Sequence, residues 1–249
     1  GRPDAVPFAT RISHARLEYP LATMNLSPIR VRRNPPRCSP ELIHQLAQAS
    51  TGWIVDANGK RGSLGAEIRP VSAATGFCGS AFTVLSRGRD NLAAYAALHY
   101  AKAGDVLVLA TDAYQESSVV GDVFIGLARN LGIVAVVTDG MVRDVAGIDA
   151  VGIPVFARGL SPNSPHKDGP GELGTQVCLG GVAVCSGDVI RGDADGVVVV
   201  AQAQAAAVVA DLERVRAQEA RMDQWVRDGL TAPPWLAETL TADRIRYLD

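Results

Sequence analysis

Asp105-Val-Leu-Val-Leu-Ala-Thr111 and, one helical interval later, Ile133-Val-Ala-Val-Val-Thr138 decide the fold. Both runs are apolar at odd and even positions alike, so both faces of each strand are covered. Short strands of this kind separated by helical stretches make an alternating α/β protein.

Outward from these two strands, Ala81 to Leu85 reads as a short strand and Asp90 to Ala103 as a helix ended by Gly104. A second helix is expected from about Val119 to Asn130, with Gly132 stopping it in the left-handed conformation. Asp139-Gly140 is a turn signal, and Val155-Phe-Ala157 a further strand after Gly152 and Pro154. Nearer the N-terminus, Ser39-Pro40-Glu41-Leu42 reads as a capped helix start with proline at the first helical position. Residues 160–175 hold so much Ser, Pro, Gly and Asn that a long loop is expected, of a length usually reserved for function. Val177 to Leu179, Val182 to Val184, Asp188 to Arg191 and Val197 to Ala201 read as strands between glycine-containing turns. Ala203 to about Arg227 reads as one long helix, broken by Pro233-Pro234.

This gives three segments: a basic, proline-interrupted N-terminal extension over 1–37, a core over 38–201, and a C-terminal helical segment over 202–249. The chain of 249 residues is 47% hydrophobic and 20% charged, enough for a substantial core. A formal net charge of −2 supplies no basic field for nucleic acid or an anionic membrane. No apolar run is long enough for a membrane span, and no secretory leader pattern stands at the start. The four cysteines form no C-x-x-C pair, which suits reduced, structural thiols in a cytoplasmic protein.

Candidate chemistry concentrates in Gly121-Asp122-Val123-Phe124 and in Thr138-Asp139-Gly140-Met-Val-Arg143-Asp144. An aspartate near a helix start is followed, after twenty intervening residues, by an Arg-Asp pair just beyond a buried strand. Ligands of open α/β sheets bind outside the carboxyl ends of strands, where Arg143, Asp144 and also Asp112 fall. A carboxylate suits a hard divalent cation, and a guanidinium grips an anionic oxygen bidentately. On spacing alone, an internal salt bridge or an exposed loop pair is the commoner explanation of Arg143 and Asp144.

From about Ser39 to Ala201 the chain resembles the RraA-like family, which includes 4-hydroxy-4-methyl-2-oxoglutarate and 4-carboxy-4-hydroxy-2-oxoadipate aldolases and regulators of ribonuclease E. The resemblance rests on Ile68-Arg-Pro70, Asp90-Asn-Leu92, Ala103-Gly-Asp-Val-Leu-Val108 and Val137-Thr-Asp-Gly-Met-Val-Arg-Asp144. It continues through Ile153-Pro-Val-Phe-Ala-Arg-Gly159, Ser164-Pro-His-Lys167, Gly180-Gly-Val182 and the run from Gly187 to Val200.

The resemblance implies an α/β/β/α sandwich similar to the family's swivelling β/β/α domain, assembled as homo-trimers or homo-hexamers with sites between subunits. It implies Asp144 as the protein ligand of Mg²⁺ or Mn²⁺, Arg143 on the pyruvyl oxygens, and Asp122 holding a metal-bound water. The backbone N–H groups of Val123 and Phe124, after Gly121, would receive the carboxylate of an oxo acid substrate. The implied reaction is retro-aldol cleavage of a 4-hydroxy-2-oxo acid to pyruvate, with oxaloacetate decarboxylation as a side activity. The alternative is a non-catalytic regulator binding ribonuclease E or another protein, against which Asp122 argues.

The chain departs from the family pattern in two places. Gly147 stands where many members carry an acidic residue, with Asp149 two further on. The glutamate that the aldolases borrow from a neighbouring C-terminal helix has only Glu219 or Glu213 as counterparts, and a solvated helix face accounts for either. Gly169-Pro-Gly-Glu-Leu-Gly174 matches G-x-G-x-x-G literally, but no strand directly precedes it and one follows it, so a dinucleotide loop is excluded. Ser117-Ser118 has no histidine–acid partnership, and His166 and Lys167 are loop residues open to a substrate or surface role.

Overall fold

The computed structural model describes residues 27–248. Its elements in chain order begin with β1 (Ile29–Val31), α1 (Pro40–Ala47), α2 (Thr51–Ala57), β2 (Arg69–Pro70), β3 (Phe77–Ser86), α3 (Leu92–Tyr100) and β4 (Asp105–Ala110). There follow β5 (Ser118–Val120), α4 (Asp122–Leu131), β6 (Ala135–Thr138), β7 (Met141–Val142), α5 (Val145–Val151), β8 (Val155–Ala157) and β9 (Gly159–Leu160). The last are β10 (Gly171–Leu173), β11 (Val177–Leu179), β12 (Val182–Val184), β13 (Val189–Asp193), β14 (Gly196–Val200), α6 (Ala205–Arg227) and α7 (Trp235–Thr239).

The main sheet runs β1-β10-β3-β4-β6-β8-β2. β3, β4, β6 and β8 are mutually parallel. The ten-residue β3 has two antiparallel partners along one edge: β10 beside its C-terminal half and β13 beside its N-terminal half. β13 continues into the β14 hairpin. The sheet thereby folds back over itself, with β11–β12 as a separate two-stranded piece.

Side-chain alternation along the strands writes out the layers. Phe82, Val84, Leu107 and Leu109 point into a core shared with Ala93, Ala97, Phe124, Ile125 and Ile148 of α3, α4 and α5. Their neighbours Ala81, Val106, Val108 and Ala110 point the other way, toward Val177, Leu179, Ile190, Val197 and Val199. Alternate residues Val189, Val198 and Val200 then face Leu46, Ile54, Val208 and Leu212 of α1, α2 and α6. The result is the expected α/β/β/α sandwich with three apolar interfaces. Each fully buried Leu, Ile or Phe contributes about 1.5–3 kcal/mol.

Several elements differ from the sequence reading. Of the expected extension over 1–37, residues 1–26 lie outside the described residues. Residues 29–31 form an edge strand beside β10, and Arg37 makes a bidentate ion pair with the buried Asp105, at 2.8 and 2.7 Å. The expected loop over 160–175 begins on the last residue of β9 and contains β10. The G-x-G-x-x-G match is therefore strand rather than phosphate loop, and Gly171 packs so close to α3 that a Cβ would fall 2.4 Å from Ala93 Cβ. Val119 lies in β5 rather than in a helix, and α2 and α5 are helices the periodicity did not announce. Ser39 caps α1 as expected, its side chain accepting from the Leu42 N–H, and Gly132 ends α4 with φ +88°.

All four cysteines are free, and burial pushes the Cys78 thiol up to about 12. No helix among the described residues is long and apolar enough to cross a membrane.

Candidate active site

A small parallel sheet, β5-β7-β9, stands apart from the main one. Each of its strands runs directly into a residue group that bounds one cleft. β5 leads through Gly121 into Asp122 and α4, β7 leads into Arg143 and Asp144, and β9 leads into the segment carrying Ser164 and Lys167. The Arg-Asp pair therefore follows the short β7 rather than the buried β6, a strand too short for periodicity to show. The cleft has a volume of about 110 Å³.

Two backbone conditions fix the pair. Asp144 has φ +61°, the left-handed region, which costs about 1–3 kcal/mol in a residue with a side chain. At the start of α5 its carboxylate makes no cap bond; instead Asp144 Oδ2 lies 3.3 Å from Arg143 Nε. Gly121 supplies the second condition, since a Cβ there would sit 2.5 Å from Asp144 Oδ2 and 3.2 Å from Arg143 Cγ. Only glycine lets β5 approach the pair so closely.

Asp122 begins α4, where the helix dipole favours negative charge. Its Oδ1 accepts from the Val123 N–H at 2.7 Å. That N–H, expected to receive a substrate carboxylate, is here engaged within the chain. Val123 exposes 68% of its surface at the cleft edge, whereas Phe124 is buried in the core and places its N–H in the first turn. Gly121 provides no side-chain cap for the first turn of α4.

The opposite wall is residues 161–169. Arg143 Nη1 donates to Ser164 Oγ at 2.5 Å, and Lys167 Nζ stands 5.8 Å from the centre of the Tyr95 ring. Asn91, 5% exposed, donates through Nδ2 to Val119 O, and its Oδ1 has no partner among the described residues.

Below the site, Asp139 braces the β4–β6 ends. Its carboxylate accepts from the Thr111 N–H at 2.7 Å, Thr111 Oγ1 at 3.0 Å and the Ala113 N–H at 3.0 Å. Burial raises its pKa above the ordinary carboxylate value, and these donors oppose the rise without cancelling it.

The structure thus brings together Gly121, Asp122, Val123, Phe124, Arg143 and Asp144. It does not bring in Asp112, which lines a different cleft with Arg87 and Glu172. Asp149 lies outside it as well, accepting from the Ala73 N–H at 2.7 Å. Glu213 and Glu219 ride on α6, which packs with α1 and α2 on the far layer and not with the cleft of the same chain. The cleft is also lined by Ser164 and Asn91, which sequence reasoning did not name as site residues although both lie within motifs it had quoted.

Among the described residues no group of three or more His, Cys, Asp or Glu side chains could hold a metal by itself. A single hard carboxylate oxygen, kept clear of bulk by the missing Cβ at Gly121, is nevertheless the donor set that suits Mg²⁺ or Mn²⁺, ions that keep most of their water.

The RraA-like family, described as aldolase/RraA, matches residues 48–199. A Halalkalibacterium halodurans protein provisionally named a 4-hydroxy-4-methyl-2-oxoglutarate aldolase is 32% identical over 192 residues, covering 77% of this chain and 91% of that protein. Among solved structures, an uncharacterised protein from Pseudomonas syringae pv. tomato superposes with a TM-score of 0.69 at 25% identity, over 78% of this chain and 96% of its own. The RNA-processing inhibitor RraA of Thermus thermophilis superposes with a TM-score of 0.58, also at 25% identity, over 61% of this chain and 92% of its own.

Proposed function

The chain belongs to the RraA-like family, and from that premise we propose that it is a divalent-metal-dependent aldolase cleaving a 4-hydroxy-2-oxo acid of the 4-hydroxy-4-methyl-2-oxoglutarate type to pyruvate and a second oxo acid. The observation that carries the reading is the convergence of Asp122, Arg143 and Asp144 on one cleft at the start of α4.

Asp144 would hold the cation, which would supply Lewis acidity to the oxo acid when bound. The chain's own groups account for the rest. The first-turn N–H groups of α4 receive the substrate carboxylate. The Arg143 guanidinium faces the keto oxygen, where negative charge collects as the C3–C4 bond breaks and its electron pair passes into the pyruvate enolate. Asp122 accepts the C4 hydroxyl proton through an intervening water, so that the C4–O bond becomes the carbonyl of the second product. Loss of carbon dioxide from oxaloacetate leaves the same enolate, and this predicts a decarboxylase side activity.

The Val123 side chain is exposed at the cleft with Leu127 exposed one turn further along α4, and Met222, Val226, Leu230 and Trp235 are exposed along the C-terminal segment. Two unpartnered apolar surfaces support a homo-trimer or homo-hexamer in which the C-terminal segment of one subunit, with Glu219 or Glu213, reaches the site of another.

The test is a screen of 4-hydroxy-2-oxo acids and oxaloacetate with coupled detection of pyruvate. No pyruvate from any of them at millimolar substrate with Mg²⁺ or Mn²⁺ sinks the reading. The likeness to the Thermus RNA-processing inhibitor supports a second reading, a non-catalytic partner of an RNA-degrading enzyme. Co-purification with such an enzyme, together with a silent pyruvate assay, would favour it.

A further inference from the structure

We propose that Ser164 is a positioning residue for Arg143, and that the segment over 161–169 is a braced wall whose task is to hold that hydroxyl in place; the inference rests on the aldolase reading above. The Arg143 guanidinium is held from two sides. Its Nη1 donates to Ser164 Oγ at 2.5 Å, while Nε lies 3.3 Å from Asp144 Oδ2. Two contacts on different edges of a planar group fix its plane as well as its position, which a single ion pair does not.

A serine hydroxyl on an exposed loop would be a poor anchor alone, so the bonding of the loop backbone matters. The Ser164 N–H donates to Asn163 Oδ1 at 3.0 Å, and Asn163 Nδ2 donates to Glu116 O at 3.0 Å. The Asn163 carbonyl accepts from both the N–H and the Oγ of Ser118, at 3.0 and 2.9 Å. At the other end Asp90, only 4% exposed, accepts from the Asp168 N–H at 2.6 Å and the Gly169 N–H at 3.1 Å. His166 donates its N–H to Arg89 O and accepts from the Asn91 N–H. The wall is therefore tied to β5 on one flank and to the start of α3 on the other.

A guanidinium already oriented toward the keto oxygen need not reorganise when charge develops there, so the benefit falls on the transition state. Ser164→Ala is expected to lower kcat by about 10-fold with KM nearly unchanged, and Ser164→Thr, which keeps a hydroxyl, to stay within about threefold of wild type. Oxalate, a planar dianion shaped like the pyruvate enolate, is expected to bind S164A about 10-fold more weakly by calorimetry with Mg²⁺ present, and pyruvate to lose less. Unchanged kcat and oxalate affinity in S164A, or a loss confined to KM, overturns the proposal while leaving the aldolase reading intact. Wild-type protein that neither releases pyruvate nor binds oxalate overturns the reading instead. The clamp is then judged by a crystal structure of S164A, in which an Arg143 guanidinium lying where Ser164 held it refutes the assignment and a displaced one upholds it.

Discussion

The Asp122 carboxylate lies in the space that a side chain on residue 147 would need: a Cβ on Gly147 would fall 2.3 Å from Asp122 Oδ2 and 2.6 Å from Asp122 Cβ. Residue 147 has no side chain, and Asp122 occupies the room.

Gly147→Ala should therefore push Asp122 out of place without unfolding α5. A loss of about 10- to 100-fold in kcat is expected, since displacements near 1 Å are that damaging to proton transfer and alignment. Steady-state pyruvate release with a circular dichroism melt alongside checks it, and an active G147A would show that Asp122 tolerates the shift.

Chelation addresses Asp144. EDTA should abolish pyruvate release and added Mg²⁺ or Mn²⁺ should restore it, while Asp144→Ala, changed at a half-exposed position, should remain folded and inactive at any metal concentration. Activity that survives exhaustive chelation discards the metal-assisted mechanism.

Stability at neutral pH should depend on the Arg37–Asp105 pair. The Asp105 side chain is 2% exposed, and Arg37→Ala would leave it with the Lys102 N–H, at 2.8 Å, but without its counter-charge. Removing one partner of a buried pair costs roughly 3 kcal/mol, measurable as a lower urea midpoint at an unchanged slope. A midpoint identical to wild type would mean that the pair contributes nothing to folding.

Asp193 makes a pH-dependent contribution. Burial opposes its ionisation, but the Thr51 N–H at 2.8 Å, Thr51 Oγ1 at 2.7 Å and the Asp195 N–H at 3.1 Å outweigh burial and lower its pKa below 3.8. A carboxyl whose folded value lies below its unfolded value stabilises the fold above the unfolded value and loses that effect as pH falls through the folded one. Asp193→Ala should cost about 1 kcal/mol at neutral pH, as for a lost helix cap on α2, and the gap to wild type should close in acid below pH 3.8. A gap that stays constant across that window contradicts the assignment.

The parts of the fold legible in the sequence were those in which local pattern and tertiary role agree. The runs ending at Ala110 and Thr138 are apolar on both faces because both faces are covered, and Ser39 and Gly132 stand where helix ends need them. Ile29–Val31 and Gly171–Leu173 were illegible for the opposite reason: three residues carry no period, and they become strands only by pairing with each other and with β3. The candidate site divides likewise. The spacing of Asp122 from Arg143-Asp144, read with the family resemblance, placed three residues in one cleft, whereas the contacts of Ser164 with Arg143 and of Gly147 with Asp122 are ones that no one-dimensional spacing encodes.

The two sides of the cleft are made differently. Asp122, Arg143 and Asp144 stand at the ends of hydrogen-bonded strands and at helix starts, so their relative positions are set by the sheet. The facing wall over 161–169 takes its shape from hydrogen bonds to Ser118, Glu116 and the Arg89–Asn91 turn rather than from a strand ladder. If the aldolase proposal holds, directed evolution toward bulkier or differently charged acids should therefore accumulate its beneficial changes at Pro165 and Lys167 of that segment and leave Asp122, Arg143 and Asp144 untouched.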